Sequence, residues 1–139
     1  MNREEIMQIL PHRDNMLLIE TAEMGEDGVA TATYTVRGDE FFLQGHFPGN
    51  PVVPGVILCE IIAQGACTLF GEEMKGKTPL YTGIDKVRFR RMVKPGDTIT
   101  VKASLLRHKM NLYVISGEAW VDGQKAVSGE FSFALVDAQ

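Results

Sequence analysis

The spacing of apolar residues changes several times along this chain, and each change marks an element. Ile6, Ile9 and Leu10 share one face of a helix, and Asn2 with Glu5 forms a capping pair in front of it. Pro11 ends that helix. Met16 to Glu23 predicts a strand, Gly25-Glu26-Asp27-Gly28 a turn, and Val29 to Val36, rich in β-branched residues, a second strand. Phe41 and Phe42 lead into a loop, Gly45 to Gly55, stiffened by Pro48, Pro51 and Pro54. Proline rings restrict their own backbone and that of the residue before, so no helix can begin until Gly55. From Val56 to Phe70 the apolar residues come almost without interruption, which predicts a helix with hardly any polar face. Such a helix belongs inside something.

Beyond it, Gly71 to Pro79 reads as a polar connector and Leu80 to Val93 as a long strand with Gly83 as a bulge or close-approach point. Lys94-Pro95-Gly96-Asp97 is a turn. Thr98 to Arg107 and Leu112 to Val121 are strands separated by His108 to Asn111, and Asp122-Gly123 makes a two-residue hairpin into a last strand, Gln124 to Val136. Short turns favour antiparallel pairing. The pattern therefore predicts an α+β fold, an antiparallel sheet curled around one long central helix.

Length and charge narrow the picture. A chain of 139 residues is expected to form one domain, residues 1–139, with a full core. A net charge of −4 argues against a general nucleic-acid binder. Met1 to Leu10 lacks the apolar run of a secretory signal. The longest apolar stretch, about 15 residues and carrying Glu60, falls short of the ~20 a membrane span needs. Cys59 and Cys67 lie eight residues apart on the expected helix, about 12 Å by helical rise, too far for a disulfide. Both read as small core residues of a reducing compartment, and a cytoplasmic location is expected.

His46 and Glu60 are the candidate chemical pair. A histidine titrates near neutrality, and a carboxyl in an apolar setting is pushed up, a combination suited to acid–base work. The bland reading is a turn histidine and a buried structural carboxylate, and spacing alone leaves both open. Glu60, Gln64 and Thr68 recur every four residues as a thin polar stripe. At the helix start, the N–H groups of Gly55 and Val56 could hold an oxygen that gains negative charge, or could simply begin a helix after a proline. Lys86 to Lys94 carries five of the fourteen Lys and Arg residues and no acid. Strand alternation sends Val87 and Phe89 inward and Lys86, Arg88 and Arg90 outward, as a docking patch for an acidic partner or a charged edge strand. His12 and His108 have no ligand-like spacing to each other, to His46 or to the cysteines, so no metal is expected. Neither a serine elbow nor a phosphate loop nor a dinucleotide fingerprint appears.

Several blocks together closely resemble the (3R)-hydroxyacyl-acyl carrier protein dehydratases of the hot-dog superfamily. They are Leu10-Pro11-His12-Arg13, Gly45-His46-Phe47-Pro48-Gly49, Pro51, Pro54-Gly55-Val56, Glu60, Ala63-Gln64, Gly83 to Arg91, and Pro95-Gly96-Asp97. The resemblance implies a hot-dog fold, with His46 and Glu60 as catalytic groups and Gly55 as a backbone donor to the thioester carbonyl. It further implies Gln64 as the residue that orients Glu60, and Val56, Phe47, Pro48 and Phe89 as substrate-binding residues. Lys86, Arg88, Arg90, Arg91 and Lys94 would meet an acyl carrier protein. The implied reaction removes water from a (3R)-3-hydroxyacyl thioester in fatty acid biosynthesis, without metal or redox cofactor. The resemblance implies a homodimer that can assemble further to a hexamer, with His46 of one protomer facing Glu60 of the other. Asp14-Asn15-Met16, Ile61 and Met92 depart from the family pattern, and Ile61 and Met92 are placed to reshape an acyl tunnel. Three alternatives remain beside plain dehydration: a dehydratase that also isomerises the double bond, an acyl thioesterase, and a non-catalytic acyl-binding protein.

Overall fold

The computed structural model describes residues 1–137. The opening helix α1 (Arg3–Met7) is held by the expected box: Glu5 N–H donates to Asn2 Oδ1 and Asn2 N–H to Glu5 Oε1. Six antiparallel strands follow around α2: β1 (Thr21–Met24), β2 (Ala30–Thr35), α2 (Gly55–Gly65), β3 (Lys77–Phe89), β4 (Thr98–Lys109), β5 (Leu112–Val121) and β6 (Gln124–Asp137). Their order across the sheet is β1-β2-β4-β5-β6-β3, so β1 and β3 are its edges. Asp122 and Gly123 both take positive φ, as the two-residue hairpin joining β5 to β6 requires. This is the sheet and central helix that the apolar pattern predicts.

Several boundaries differ from expectation: α1 ends at Met7, short of Pro11, and β3 begins at Lys77 rather than Leu80. The first strand begins at Thr21, not Met16, because Leu17, Leu18 and Ile19 are all buried in succession. Side chains of a strand alternate between faces, so three in a row cannot all enter the core from one. The helix stops at Gly65, and Cys67–Leu69 and Gly71–Met74 continue as short 3₁₀ turns rather than carrying α2 to Phe70. The last long strand before the Lys94 turn ends at Phe89 rather than Val93.

The helix lies on the sheet through Leu58, Ile61 and Ile62, which join Ala32, Val101, Ile115 and Phe131 in one core. Gly117 on β5 makes the approach possible, since a β-carbon there would run into Ile62. The opposite side is less covered than a helix apolar all round should be: Val56 is 75% exposed. On the neighbouring edge strand Leu80, Tyr81, Ile84 and Phe89 are exposed as well. No helix among the described residues is long and apolar enough to cross a membrane.

Candidate active site

Glu60 is set by the helix. Gln64, one turn later on α2, donates Nε2–H to Glu60 Oε2 at 2.9 Å. Gln64 is itself almost fully buried and fixed: it accepts from Leu18 N–H at 2.8 Å and donates to Met16 O at 2.8 Å. The residues at 16–18 that fail to make a strand thus hold the glutamine. A second group reaches the same carboxylate oxygen. His12 Nε2 lies 3.3 Å from Glu60 Oε2, and both side chains are about four-fifths buried. His12 is held in turn by Arg13, whose guanidinium donates to the carbonyls of Leu10, His12 and Met7.

These groups line one pocket of about 190 Å³, whose other walls include Leu10, Ala63, Met74, Pro79, Leu80, Tyr81 and Phe133. Polar groups cluster at Glu60 and the remaining wall is apolar, the form expected of a site for a chain with one reactive end. Ile61 is buried in the core and Met92 is exposed, and neither lines the pocket. Met74 and Phe133 do, from the connector after α2 and from the last strand, neither of which the sequence assigns to the site.

Burial pushes the Glu60 carboxyl up, but hydrogen bonds from His12 and Gln64, the His12 charge and the nearby Tyr81 hydroxyl outweigh it. The net direction is down, opposite to the expectation for a carboxyl in an apolar stretch. Burial and the Glu60 charge together push the Tyr81 hydroxyl far up, so it remains a proton donor. Burial and Glu60 also raise the Cys59 thiol, and both cysteines are free and buried.

His46 is elsewhere. Its Nδ1 lies 2.9 Å from Val52 O, and its ring stacks on Phe47 with centroids 4.2 Å apart. A carbonyl only accepts, so Nδ1 carries a proton and the neutral ring keeps Nε2 as a free base. Val52 N–H returns a bond to His46 O at 2.9 Å, and Val53 N–H to Val93 O at 2.8 Å, which pins the loop. Within one chain the imidazole beside Glu60 is therefore that of His12, and His46 stands outside the pocket.

At the helix start Ile57 and Leu58 N–H donate to Pro54 O, which leaves the first N–H groups, Gly55 and Val56, without an intrahelical acceptor. Gly55 lets the Phe89 ring lie against the helix start, since a β-carbon would come within 2.7 Å of that ring and push it aside. Phe89 faces the helix side as alternation predicts, paired with the buried Val127, yet it is 56% exposed because β3 lies at the sheet edge. Phe47 and Pro48 are exposed on the loop. Of the basic island, Lys86, Arg88, Arg90 and Lys94 are exposed, with Lys86 3.2 Å from Glu130. Arg91 is turned inward on Val121 O, Gln124 and Asp97, which accounts for its charge within the chain. Sequence reasoning gave no role to His12 or Tyr81, although His12 stands inside one of the blocks that carry the resemblance. Contact between positions 12 and 60 has no signature in spacing.

A small sheet curled on one helix, with a carboxyl from that helix in an apolar pocket, defines a hot-dog protein, and a FabA-like domain matches residues 10–130. The chain belongs to the FabZ family of 3-hydroxyacyl-acyl carrier protein dehydratases. It is 44% identical over 137 residues to 3-hydroxyacyl-[acyl-carrier-protein] dehydratase FabZ of Clostridium perfringens, covering 97% of this chain and 99% of the relative. It is 44% identical over 138 residues to the enzyme of that name from Staphylococcus aureus, covering 97% and 94%. Among solved structures, the dehydratase heterocomplex ApeI:P of Xenorhabdus doucetiae superposes with a TM-score of 0.79 at 20% identity, over 96% of this chain and 91% of that one. A hypothetical thioesterase of Streptococcus pneumoniae with coenzyme A superposes with a TM-score of 0.62 at 16% identity, over 86% and 87%, and shares the fold alone.

Proposed function

We propose that this protein, as a single domain, removes water from (3R)-3-hydroxyacyl chains on acyl carrier protein, giving trans-2-enoyl chains for fatty acid biosynthesis. The observation that carries the reading is Glu60 held by Gln64 at the polar end of an apolar pocket, in a chain closely related to such enzymes along its whole length. The assembly is a homodimer, which can in turn build a hexamer, and the location is the cytoplasm.

The reaction divides between two protomers. β3 is an unpaired edge whose Leu80, Ile84 and Phe89 are exposed beside Val56, and an edge of that kind calls for a partner. Two copies joined along it bring His46 of one toward Glu60 of the other. His46 Nε2 then takes the C2 proton, and the electrons left behind form the C2–C3 double bond as the C3–O bond breaks. Glu60, directly or through water, supplies the proton with which the hydroxyl leaves as water. The partner's approach removes more water from Glu60, and burial is the influence that raises a carboxyl toward the protonated state this step needs. Charge gathering on the thioester oxygen meets the free N–H groups of Gly55 and Val56. Phe47, Pro48 and Phe89 border the entrance. The chemistry draws its acidity from the thioester and calls for no cofactor.

The test is complementation. His46→Ala and Glu60→Gln proteins are each inactive alone. Unfolded and refolded together with random pairing, half the dimers are mixed and each holds one intact site of two, so about a quarter of wild-type activity returns. If mixing restores nothing, the two residues do not come from different chains.

Carrier docking belongs to the exposed Lys86, Arg88, Arg90 and Lys94, with Arg91 holding the strand end in place. The double variant Arg88→Glu with Arg90→Glu should raise KM severalfold for carrier-bound substrate, and added salt should do the same to the wild type. A short pantetheine thioester is the control. Equal damage to both substrates would assign these arginines to folding.

A further inference from the structure

We propose that His12 is a positioning residue for the reaction: it fixes the rotamer of Glu60 from within the same chain and leaves one defined carboxylate oxygen to work. The inference rests on the role given to Glu60 above.

The geometry is unsymmetrical. Oε2 of Glu60 receives Gln64 Nε2–H at 2.9 Å and faces His12 Nε2 at 3.3 Å, so both fixed neighbours stand at one oxygen. Oε1 takes no hydrogen bond from the described residues and is the atom left for a substrate hydroxyl or a water. A carboxylate only accepts, so the proton on His12 is on Nε2. The separation is slightly beyond an ordinary N–H···O bond, as contacts in unliganded sites commonly are before substrate closes them.

His12 is itself placed with care. The three Arg13 hydrogen bonds clamp residues 7–13 into one shape, and the His12 ring forms part of the pocket wall. Its Nδ1 is buried with no partner among the described residues, an unusual loss for a histidine that could have turned outward. The ring gives up that bond and keeps its other nitrogen on the carboxylate. Gln64 restrains one oxygen, and the nearby Tyr81 hydroxyl, directed at Cys59 O at 3.5 Å, makes no hydrogen bond to the other, so Glu60 would still be free to swing about its final torsions. A second neighbour from a different element, arriving from the N-terminal segment, removes that freedom.

The test is a double-mutant cycle on a pantetheine-type thioester, with His12→Ala, Glu60→Gln and the double variant. If His12 acts through Glu60, His12→Ala lowers kcat about 10- to 100-fold with KM within about twofold, the scale of a misplaced catalytic group. In the Glu60→Gln background the same change should cost less than about threefold, since no carboxylate remains to be placed. Equal losses in both backgrounds, a loss confined to KM, or no loss in the wild type would each overturn the proposal. If Glu60→Gln alone keeps more than a tenth of the activity, the failure lies in the role of Glu60, and the inference falls with it. Should His12→Ala melt at the assay temperature, His12→Gln, which keeps the bulk of the side chain, replaces it in the same cycle.

Discussion

Glu40 and Glu60 are both largely buried carboxylates, and their surroundings differ in one respect. Glu40 is 5% exposed and is closed on all sides: Tyr34 Oη donates at 2.7 Å, Arg37 N–H at 2.9 Å and Gly38 N–H at 2.8 Å, across both oxygens. Glu60 has its neighbours on one oxygen and a pocket in front of the other. Both carboxyls lie below the ordinary range. For Glu40, burial pushes up and the backbone N–H groups of Arg37 and Gly38 with the Tyr34 hydroxyl outweigh it. Direction of titration therefore does not separate Glu40 from Glu60. Vacant acceptor capacity facing a pocket does.

The largest effect should come from Glu60→Gln, which keeps shape and removes the acid. Turnover on a carrier-bound substrate should fall 10²- to 10⁴-fold, while the urea midpoint stays near that of the wild type. A variant that unfolds early instead would put Glu60 in the class of Glu40.

Next is Glu40→Gln. An amide keeps one acceptor oxygen, so its NH2 faces either Gly38 N–H or Arg37 N–H, which sit on different oxygens, and a buried unsatisfied donor costs about 1–3 kcal/mol. Urea unfolding should show a loss of roughly 1–3 kcal/mol, with turnover per folded molecule little changed. A stable but inactive protein would contradict the comparison from the other side.

The smallest effect is in acid. Glu40 has a folded value below its ordinary 4.5, so the unfolded chain binds its proton first as pH falls. Its contribution is complete above the ordinary range and drains away from there down to the lowered folded value. The wild type should lose stability more steeply through that window than Glu40→Gln. Parallel slopes would show that Glu40 does not titrate differently in the two states.

How far the sequence could be read follows the same division between local and distant causes. The strands β2, β4, β5 and β6, the capping box at Asn2 and the helix start at Gly55 depend on neighbours in sequence, and each lies within a residue or two of its expected place. The helix end does not, because the pattern of apolar residues and the Glu60-Gln64-Thr68 stripe continue past Gly65 to Phe70. Only the packed structure shows that a β-carbon at Gly65 would press on Val101 and Ala32. Glu60 was visible as a lone carboxyl in an apolar segment, and Gln64 followed from helical spacing. His12 and the downward direction of Glu60 were not visible, since both need the N-terminal segment folded back across fifty residues. Alternation gave Phe89 its face, shared with the buried Val127, but not its exposure, which follows from the place of β3 at the sheet edge.

If two copies pair along the open β3 edge, as proposed, that edge ties the stability of this fold to how many copies share the solution. A chain whose partner supplies the missing neighbours is governed by mass action, and each tenfold rise in protomer concentration favours the paired state by about 1.4 kcal/mol. Its melting temperature should therefore climb with concentration, where a self-sufficient monomer would show one value throughout. In a cell the same dependence means that the first copies made are the most vulnerable, and that abundance itself protects the later ones.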